Sequence, residues 1–444
     1  MPRPFAVIGF TVFFTIALLY NSDTRTVSIA LFAFVAALSA SLIFSRLRSH
    51  KVFPCAFISG VLACILLLGA INFSYLPIIA YDGKTCYIKA ELTDYPRHEY
   101  GNYYYDAKAS EIDGEQVDIK VRLAFSSPCE AEPYDIIEGN FDFYVLGSSS
   151  EELIAANKAK GIFVGAYPLS GKYSVVNIPE EEKPFAKTLL DIRTAIKNAV
   201  FRAMPNQRGA LATALLIGDK SEVSSEIISD FQISGISHVI CVSGLHLSLW
   251  AMIILKILKE LRVNDRIAAV IAAFGVVLFM LVAGLSYSVV RSGIMMLLYL
   301  FSIVIWKKRD SLNSLGFSLT AIALYNPFAM GAVSLQLSAL STLGLILFSN
   351  HVLPNVERKI DSFKHKDIAI PFEKLLVTLL SSIAATAFTM PVSITLYGGF
   401  NFGTLLTNLI AIPVSSLCIF FSAAGAAMGA VLPAALNVAG YIGG

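Results

Sequence analysis

Charged residues are scarce in this chain of 444 residues, because Asp, Glu, Lys and Arg together make up only 15% of it. In a typical soluble domain these four residue types make up about a quarter of the sequence. With 56% hydrophobic residues, the composition excludes an ordinary soluble domain and predicts a polytopic α-helical membrane protein. A Walker-type glycine-rich loop is also missing, so the sequence supplies no nucleotide-driven motor.

The apolar residues are gathered into runs that approach the length of a membrane span, about 20 residues for a hydrocarbon core of about 30 Å. About ten such runs can be counted: Phe5–Tyr20, Val27–Phe44, Val52–Phe73, Ile236–Leu258, Ile267–Leu285, Val289–Trp306, Leu312–Tyr325, Met330–Phe348, Leu375–Leu396 and Phe402–Leu432. No small-residue cleavage site follows the first run, so we interpret it as a retained anchor and not a signal peptide.

Lys and Arg cluster in four places between these runs, around residues 46–51, 256–266, 307–309 and 358–374. Cytoplasmic loops of membrane proteins carry an excess of these residues. Threading the runs so that every cluster is cytoplasmic puts the N-terminus inside. The segment from Tyr81 to about Gly235 is then external.

This external segment begins with short alternating runs such as CYIKAEL and VDIKVRLAF, separated by Asp-Gly, Ser-Pro and Gly-rich stretches. The pattern predicts about five strands over residues 81–178, and a small OB-like barrel fits them best. These residues include 9 Lys and Arg against 16 Asp and Glu, a net charge of −7. An acidic domain is a poor binder of nucleic-acid phosphates, which are held by Lys and Arg.

Two cysteines, Cys86 and Cys129, fall inside the predicted β domain. In an oxidising compartment the pair is a candidate disulfide, and two free thiols are the alternative.

Residues 179–235 contain amphipathic runs that are too short or too charged to span, so we expect interfacial helices there. The predicted domains are therefore residues 1–75 with three membrane helices, the β domain 81–178, the interfacial helices 179–235 and a membrane core 236–444.

Polar residues interrupt the apolar segment GISHVICVSGLHLSLW at residues 235–250. Ser243 and His246 are neighbours on one helix face at spacing i, i+3, and Gly244 permits close backbone approach. The threading places this stretch at the outer end of its helix. Arg291 is the only Lys or Arg between Ala268 and Trp306. An arginine inside a membrane costs about 2.5–3.5 kcal/mol on insertion scales and marks a bundle interior or an aqueous path.

The segment GDKSEVSSEIISDFQISGISHVICVSGLHLSLW resembles the signature of ComEC-type competence proteins. Three further segments resemble family motifs and follow in the expected order: GLSYSVVRSGIMMLLYL, YNPFAMGAVSLQLSALSTLGLI and TMPVSITLYGGFNFGTLLTNLIAIP. The resemblance implies a channel for single-stranded DNA in the bacterial cytoplasmic membrane, with an external OB-like domain. It also implies as partners an external DNA receptor, a cytoplasmic helicase or translocase and a separate nuclease.

The sequence departs from the family pattern at two points. Asn326 stands before Pro327 where the family usually has Asp. The His-x-His-x-Asp-His cluster of the metallo-β-lactamase-like domain that many members carry does not occur in the sequence, so its nuclease activity is not carried over. We therefore expect no enzyme activity, no metal and no cofactor.

Ten residues are candidates for lining the DNA path: Asp219, Lys220, His238, Ser243, Gly244, His246, Arg291, Gln336, Ser338 and Asn408. Each also has a structural interpretation. His246 can bond a carbonyl of a neighbouring helix, Arg291 can extend to the headgroups, and Ser243 can bond its own helix. Gln336, Ser338 and Asn408 can join helices as polar fasteners.

Two other functions remain open. A secondary transporter or exporter of a smaller polyanion is one, although we find no internal duplication of the kind such proteins often have. The other is an intramembrane hydrolase using Ser243 and His246. A catalytic triad also needs an orienting carboxylate, and the predicted spans from Ile236 onward contain no Asp or Glu.

Overall fold

The computed structural model of the chain describes residues 3–43, 52–99, 101–146, 151–236, 239–240, 242, 244–361, 366–397 and 403–431. Its α-helices are α1 (Pro4–Leu19), α2 (Thr24–Ile43), α3 (Val52–Ala70), α4 (Leu76–Ile79), α5 (Glu151–Lys160), α6 (Phe185–Ala203), α7 (Gln207–Ile217), α8 (Ser225–Ile233), α9 (Gly244–Glu260), α10 (Asp265–Val282), α11 (Tyr287–Val304), α12 (Ser311–Tyr325), α13 (Val333–His351), α14 (Leu353–Asp361), α15 (Lys366–Tyr397) and α16 (Thr404–Val431). Its strands are β1 (Thr85–Leu92), β2 (Arg97–Glu99), β3 (Asn102–Ile112), β4 (Glu115–Phe125), β5 (Ile136–Val145), β6 (Ile162–Pro168) and β7 (Ser174–Val176).

The chain divides into two compact units. The first comprises Met1–Asp191 together with Leu319–Val333, and it contains all the described strands. The second comprises Ile192–Ser318 together with Ser334–Gly444.

The strands form a closed barrel-like sheet in the order β1-β3-β4-β6-β5, and β5 pairs with β1 to complete the ring. The pairing of β4 with β6 is parallel, and the other pairings in the ring are antiparallel. The short strands β2 and β7 extend β3 and β5. A five-stranded barrel is therefore confirmed for the region in which the sequence predicted about five strands.

Alternation of side chains creates the interior of the barrel. In β1 the residues Ile88, Ala90 and Leu92 are completely buried, whereas the residues between them are partly or fully exposed. Leu123 and Phe141 fill the interior from β4 and β5. Full burial of one such side chain contributes about 1.5–3 kcal/mol, so the period-2 pattern accounts for the direction in which each strand faces.

The Asp-Gly pair of the sequence forms the turn between β3 and β4. Both residues adopt positive φ, 49° at Asp113 and 85° at Gly114. A two-residue hairpin loop with positive φ at both positions matches the twist of the strands, and Asp-Gly tolerates it. The Asp113 carboxylate also accepts a hydrogen bond of 2.7 Å from the Tyr87 N–H, which fastens the turn to β1.

The predicted disulfide between Cys86 and Cys129 is wrong, because both residues are buried free thiols. Cys86 begins β1, beside Asp113, and burial together with a hydrogen bond to that carboxylate raises the pKa of its thiol to about 11. Cys129 lies in the loop between β4 and β5, where its N–H donates to Oη of Tyr105 on β3. Tyr105 and Ile112, which precedes Asp113, are seven residues apart on β3, or roughly 23 Å, whereas a disulfide needs Cα atoms within about 7 Å.

A largely buried carboxylate, that of Asp106 on β3, is surrounded by three cations. Arg97 Nη2 contacts one of its oxygens, Arg122 Nε lies 2.9 Å from the other, and Lys160 Nζ lies 3.5 Å away. Burial acts to raise the pKa of Asp106, but the charges of Arg97, Arg122 and Lys160 outweigh it and hold the pKa below its usual value. This cluster joins β2, β4 and the end of α5 to the centre of the sheet.

Asn326 connects the segment after α12 to the barrel within the first unit. Its Nδ2 donates to the carbonyl oxygen of Ala159 near the end of α5, and its Oδ1 accepts from the Phe328 N–H at 3.0 Å. An ionised carboxylate has no N–H to donate, so the amide makes a bond that Asp at this position would not. The ring of Phe328 packs against those of Tyr20, Tyr75 and Phe163.

Six helical segments in the described residues are long and apolar enough to cross a membrane: Val52–Ile79, Asp265–Val282, Tyr287–Val304, Val333–Val356, Leu375–Thr395 and Thr407–Gly425. Each overlaps a predicted span. Two further apolar stretches, Pro4–Leu19 and Thr24–Ala40, are shorter. The polytopic membrane character is confirmed, but the count of about ten spans is not.

Two of the remaining predicted spans are helices of less than membrane length. The helix α9 has 17 residues and begins only at Gly244, because the described residues between Gly235 and Gly244 are not helical. Gly235 ends α8 with φ +71°, and the Ile236 N–H bonds back to the Phe231 carbonyl. The helix α12 has 15 residues.

Small residues let α9, α10 and α11 pack closely in the second unit. Their common core includes Leu247, Ala251, Ala272, Val289 and Leu300, all nearly or completely buried. Apolar side chains gain nothing from leaving lipid for another helix, so close contact between small residues holds such helices together. A second core joins α6 and α7 to Ile419 of α16.

We expect both barrel cysteines to react as thiols. Unfolding the chain in denaturant without reductant should allow an alkylating agent to modify Cys86 and Cys129 completely, because neither is bridged. Intact mass before and after reduction checks this. A pool of chains that gains alkylation at these positions only after reduction would contradict it.

Asp106→Asn should lower the free energy of unfolding by about 3–5 kcal/mol, because Arg97 and Arg122 lose the carboxylate that neutralises them. Thermal unfolding of the full chain in detergent measures the change. The matched control is Asp118→Asn, which removes an exposed pair with Lys108 and should cost less than about 1 kcal/mol. Equal effects of the two substitutions would contradict the prediction.

The same carboxylate should give the barrel an acid-sensitive stability. Because the folded pKa of Asp106 lies below the unfolded value, its contribution is present above about pH 4 and is lost as the pH falls through the folded pKa. The unfolding temperature of the natural chain should therefore fall more steeply below pH 4 than that of Asp106→Asn. Parallel curves for the two proteins would contradict this.

Candidate functional site

Arg291 lies in the second turn of α11 and is almost completely buried, with 4% of its surface exposed. Its donors are held by neutral acceptors. Nε and Nη2 lie 3.2 and 2.9 Å from Ser338 Oγ on α13, and Nη2 also lies 2.8 Å from Ser292 Oγ. Nη1 faces the sulfur of Met295 at 3.2 Å. The guanidinium therefore joins α11 to α13.

Two more hydrogen bonds orient these serines. Ser288 Oγ, one turn before Arg291, donates to Ser338 Oγ at 3.0 Å. Ser292 Oγ donates to the Ser288 carbonyl at 2.8 Å, which fixes its rotamer and points its lone pair at the arginine. Arg291 and the three serines, which we call the Arg291 cluster, thus form one connected polar group.

The Arg291 cluster supplies hydrogen-bond acceptors to the guanidinium but does not neutralise its positive charge. In the part of the chain that the structure describes, no carboxylate lies within ion-pair distance of Arg291. A buried cation without a counterion is costly, so the position is electrostatically suited to an anion.

Gly244 brings the beginning of α9 against this cluster. A Cβ atom added to Gly244 would lie 2.8 Å from Ser292 Oγ and 3.7 Å from Arg291 Nη2. A contact of 2.8 Å is too short for a real Cβ, so only glycine fits here without a shift. The partial positive charge of a helix N-terminus adds to that of the guanidinium and also favours an anion.

His246 lies in the first turn of α9 and is buried, with 2% exposed. Two residues along a helix correspond to about 200° of rotation, so His246 faces away from the side on which Gly244 meets Arg291. Its inclusion in a shared anion path with Arg291 stays a prediction. His238 and Ser243 lie outside the described residues.

The Gly218-Asp219-Lys220 loop lies close to the segment that leads into α9. Gly218 ends α7 with φ +75°, and a Cβ there would lie 3.1 Å from Val242 Cγ2. The Asp219 carboxylate accepts from the Ser221 N–H at 3.0 Å and lies 3.7 Å from Lys197 Nζ. Burial raises the pKa of Asp219, but the Ser221 hydrogen bonds and the nearby cations lower it overall.

The other predicted residues occupy different surroundings. Lys220 is exposed, and Gln336 is half-buried on α13, two residues before Ser338. Asn408 is buried on α16, and its Nδ2 donates to Ser382 Oγ on α15 at 3.3 Å. This contact agrees with the interpretation of Asn408 as a polar fastener between helices.

Sequence reasoning missed Ser288 and Ser292, although both lie in the quoted segment GLSYSVVRSG. Their spacing from Arg291, three residues before and one after, was the available signal. Metal chemistry was not expected, and among the described residues no group of three or more His, Cys, Asp and Glu side chains is placed to hold a metal ion.

These features define a polytopic membrane protein with a barrel in one unit and an unneutralised buried arginine among the helices of the other. The chain belongs to the competence protein family, whose model, described as "Competence protein", matches residues 215–442. This confirms the resemblance recognised in the sequence.

A relative can be compared directly. The chain is 25% identical over 250 residues to "ComE operon protein 3" of Bacillus subtilis (strain 168). The aligned region covers 56% of this chain and 30% of that protein. The match therefore spans less than a third of the relative's length. No solved structure matches the chain.

Ser338→Ala should lower the free energy of unfolding by about 1.5–3 kcal/mol, because two donors of a buried charged group lose their acceptor. Thermal unfolding in detergent measures the loss. Ser341→Ala is the matched control on the same helix, since its hydroxyl donates only to the Ser338 carbonyl, and it should cost about 1 kcal/mol or less. A Ser338 variant as stable as the control would contradict the arrangement.

Proposed function

We propose that the chain is the membrane channel through which single-stranded DNA enters the cell during natural transformation. The observation that carries this proposal is Arg291, a buried guanidinium with neutral acceptors around it and no carboxylate within reach in the described residues. A phosphodiester is an anion that a guanidinium binds well, with two parallel N–H donors.

The surroundings of Arg291 suit passage better than permanent binding. Serine hydroxyls already accept from the guanidinium, so an arriving phosphate exchanges one set of hydrogen bonds for another. Phosphate binding is then less favourable than at a guanidinium whose N–H groups have no acceptors, so the phosphate can leave again. A polyanion can therefore move past the site one phosphate at a time.

The proposal includes the finer features predicted from the sequence. The channel lies in the bacterial cytoplasmic membrane, with the N-terminus inside and the barrel, of OB-like type, outside. About ten helices cross the bilayer. Residues 236–444 form the passage, and residues 179–235 lie at its entrance. The path also includes His246, Gln336 and, from the segment outside the described residues, His238 and Ser243.

The partners follow from what the chain needs. An external receptor delivers DNA, a separate nuclease removes the second strand, and a cytoplasmic helicase or translocase supplies the free energy of movement. We propose no catalytic role for this chain.

The alternative function is a transporter of a smaller polyanion, which the same buried arginine would serve. Transport of the two substrates separates the functions, since only a transporter of a smaller polyanion should internalise labelled inorganic polyphosphate.

Complementation tests the proposal. A deletion strain that expresses residues 1–444 should internalise fluorescently labelled DNA if the other partners are present. Failure to restore internalisation, with the chain correctly inserted in the membrane, would contradict the channel function.

Arg291→Gln should reduce DNA internalisation by at least about tenfold, because the fixed cation is lost from the path. His246→Ala should reduce it as well if that residue lines the path. The matched control is Arg266→Gln, which removes an exposed arginine that stacks on Trp306. Quantitative immunoblots of membranes must show equal protein levels. Normal internalisation by Arg291→Gln would contradict the proposed path.

A further inference from the structure

A second arginine, Arg193, lies at the turn that leads into the helix carrying Arg291. It projects from α6 to the α10–α11 turn, where Gly284 has φ +81° and Leu285 has φ +52°. The Arg193 Nη1 atom lies 2.9 Å from the point that a Cβ of residue 284 would occupy. The glycine therefore leaves the space in which the guanidinium sits.

Within the part of the chain that the structure describes, Arg193 lacks the close ion pairs of its neighbour one turn later, although its charge helps to lower the pKa of Asp219 from beyond ion-pair distance. Lys197 Nζ lies 3.0 Å from Glu222 and 3.7 Å from Asp219, so two carboxylates neutralise it. Among the described residues no carboxylate is within ion-pair distance of Arg193. Its Nε is buried and has no hydrogen-bond partner in the described part of the chain. A buried donor without an acceptor is costly, so a ligand acceptor that the partly exposed Arg193 side chain turns to meet relieves that cost.

The turn that Arg193 contacts leads directly into the helix that carries Arg291. Gly284 precedes Arg291 by seven residues, and the rise from Tyr287 to Arg291 in α11 corresponds to roughly 6 Å of helix. Arg193, on α6, therefore contacts the chain just before α11 begins, and Arg291 lies in the second turn of that helix. Two arginines with no carboxylate at ion-pair distance in the described residues thus lie at the same end of α11, where one single strand can contact both with a few phosphates.

We infer that Arg193 is a phosphate-binding residue that receives the phosphodiester backbone of an entering single strand before it reaches Arg291. This inference rests on the proposed channel function and adds a binding residue to it. The Arg193 guanidinium donates to a phosphate, which gives its Nε an acceptor, while Lys197 stays paired with Glu222 and Asp219. The neighbouring carboxylates then limit the positive charge at this point to the one arginine.

The alternative role for Arg193 is structural packing against Gly284. The two roles differ in their dependence on salt. Each phosphate contact to a single strand releases counterions and contributes about 0.7 to the slope of log affinity against log salt concentration. A residue that only packs contributes nothing to that slope, even where its loss weakens binding indirectly.

The experiment uses the full chain in nanodiscs of zwitterionic lipid and a fluorescein-labelled oligothymidylate. Fluorescence anisotropy over a series of KCl concentrations gives affinity and slope. Arg193→Gln should weaken binding about fivefold or more and lower the slope by about 0.7, because one phosphate contact is lost. Arg193→Lys keeps the charge and should retain the slope of the natural chain.

The matched control is Arg202→Gln. Arg202 is an exposed arginine on the same helix, and nine residues of separation place it on the opposite face, about 180° away. It should change neither affinity nor slope. Unfolding temperatures of all variants show whether the fold is intact.

The outcomes separate this inference from the proposed function. If the natural chain binds the oligonucleotide and Arg193→Gln has the same affinity and slope, the inference is overturned and the channel proposal stands. If Arg193→Gln and Arg193→Lys weaken binding equally with an unchanged slope, Arg193 is structural and the inference is again overturned. If the natural chain shows no salt-dependent binding at all, both proposals fail.

Discussion

The second unit is organised around the cost of holding a positive charge inside an apolar helical bundle. Arg291 meets this constraint with hydroxyl groups, since its donors reach Ser292 and Ser338 and no carboxylate approaches it in the described residues. Neutral acceptors satisfy the N–H groups but leave the charge uncompensated. Gly244 permits the first turn of α9 to lie against the cluster, and a separate apolar core of small and aliphatic residues joins α9, α10 and α11.

Much of the fold was predictable because its signals are local. Alternation within CYIKAEL and VDIKVRLAF predicted strands, and the Asp-Gly pair at residues 113 and 114 predicted a turn, which the structure has between β3 and β4. The length of the apolar runs predicted helices. The disulfide was wrong because the spacing of Cys86 and Cys129 does not tell at which end of the barrel each residue lies. The start of α9 was placed too early because apolar composition continues through Gly235 to Gly244, although the described residues there are not helical.

The candidate site was only partly accessible to sequence reasoning. Arg291 is visible because an isolated arginine in an apolar run is costly. Its bond to Ser338 joins residues 47 positions apart, and serines in such helices more often bond to their own backbone, so nothing local selects the right one. Arg193 was not recognised because the amphipathic pattern of α6 shows that a polar face exists but not that the α10–α11 turn covers it.

The parallel pairing of β4 with β6 has a consequence for how the protein is made. The ring closes only when β6 has left the ribosome, because β4 must wait for it and β1 must find β5 some 50 residues downstream. Synthesis at about 5–20 residues per second leaves the β3–β4 hairpin with open edges for several seconds. An isolated hairpin is marginally stable, and open edges pair with other chains. The nascent, half-assembled barrel is therefore the stage at which this domain is most prone to edge-to-edge pairing with other chains.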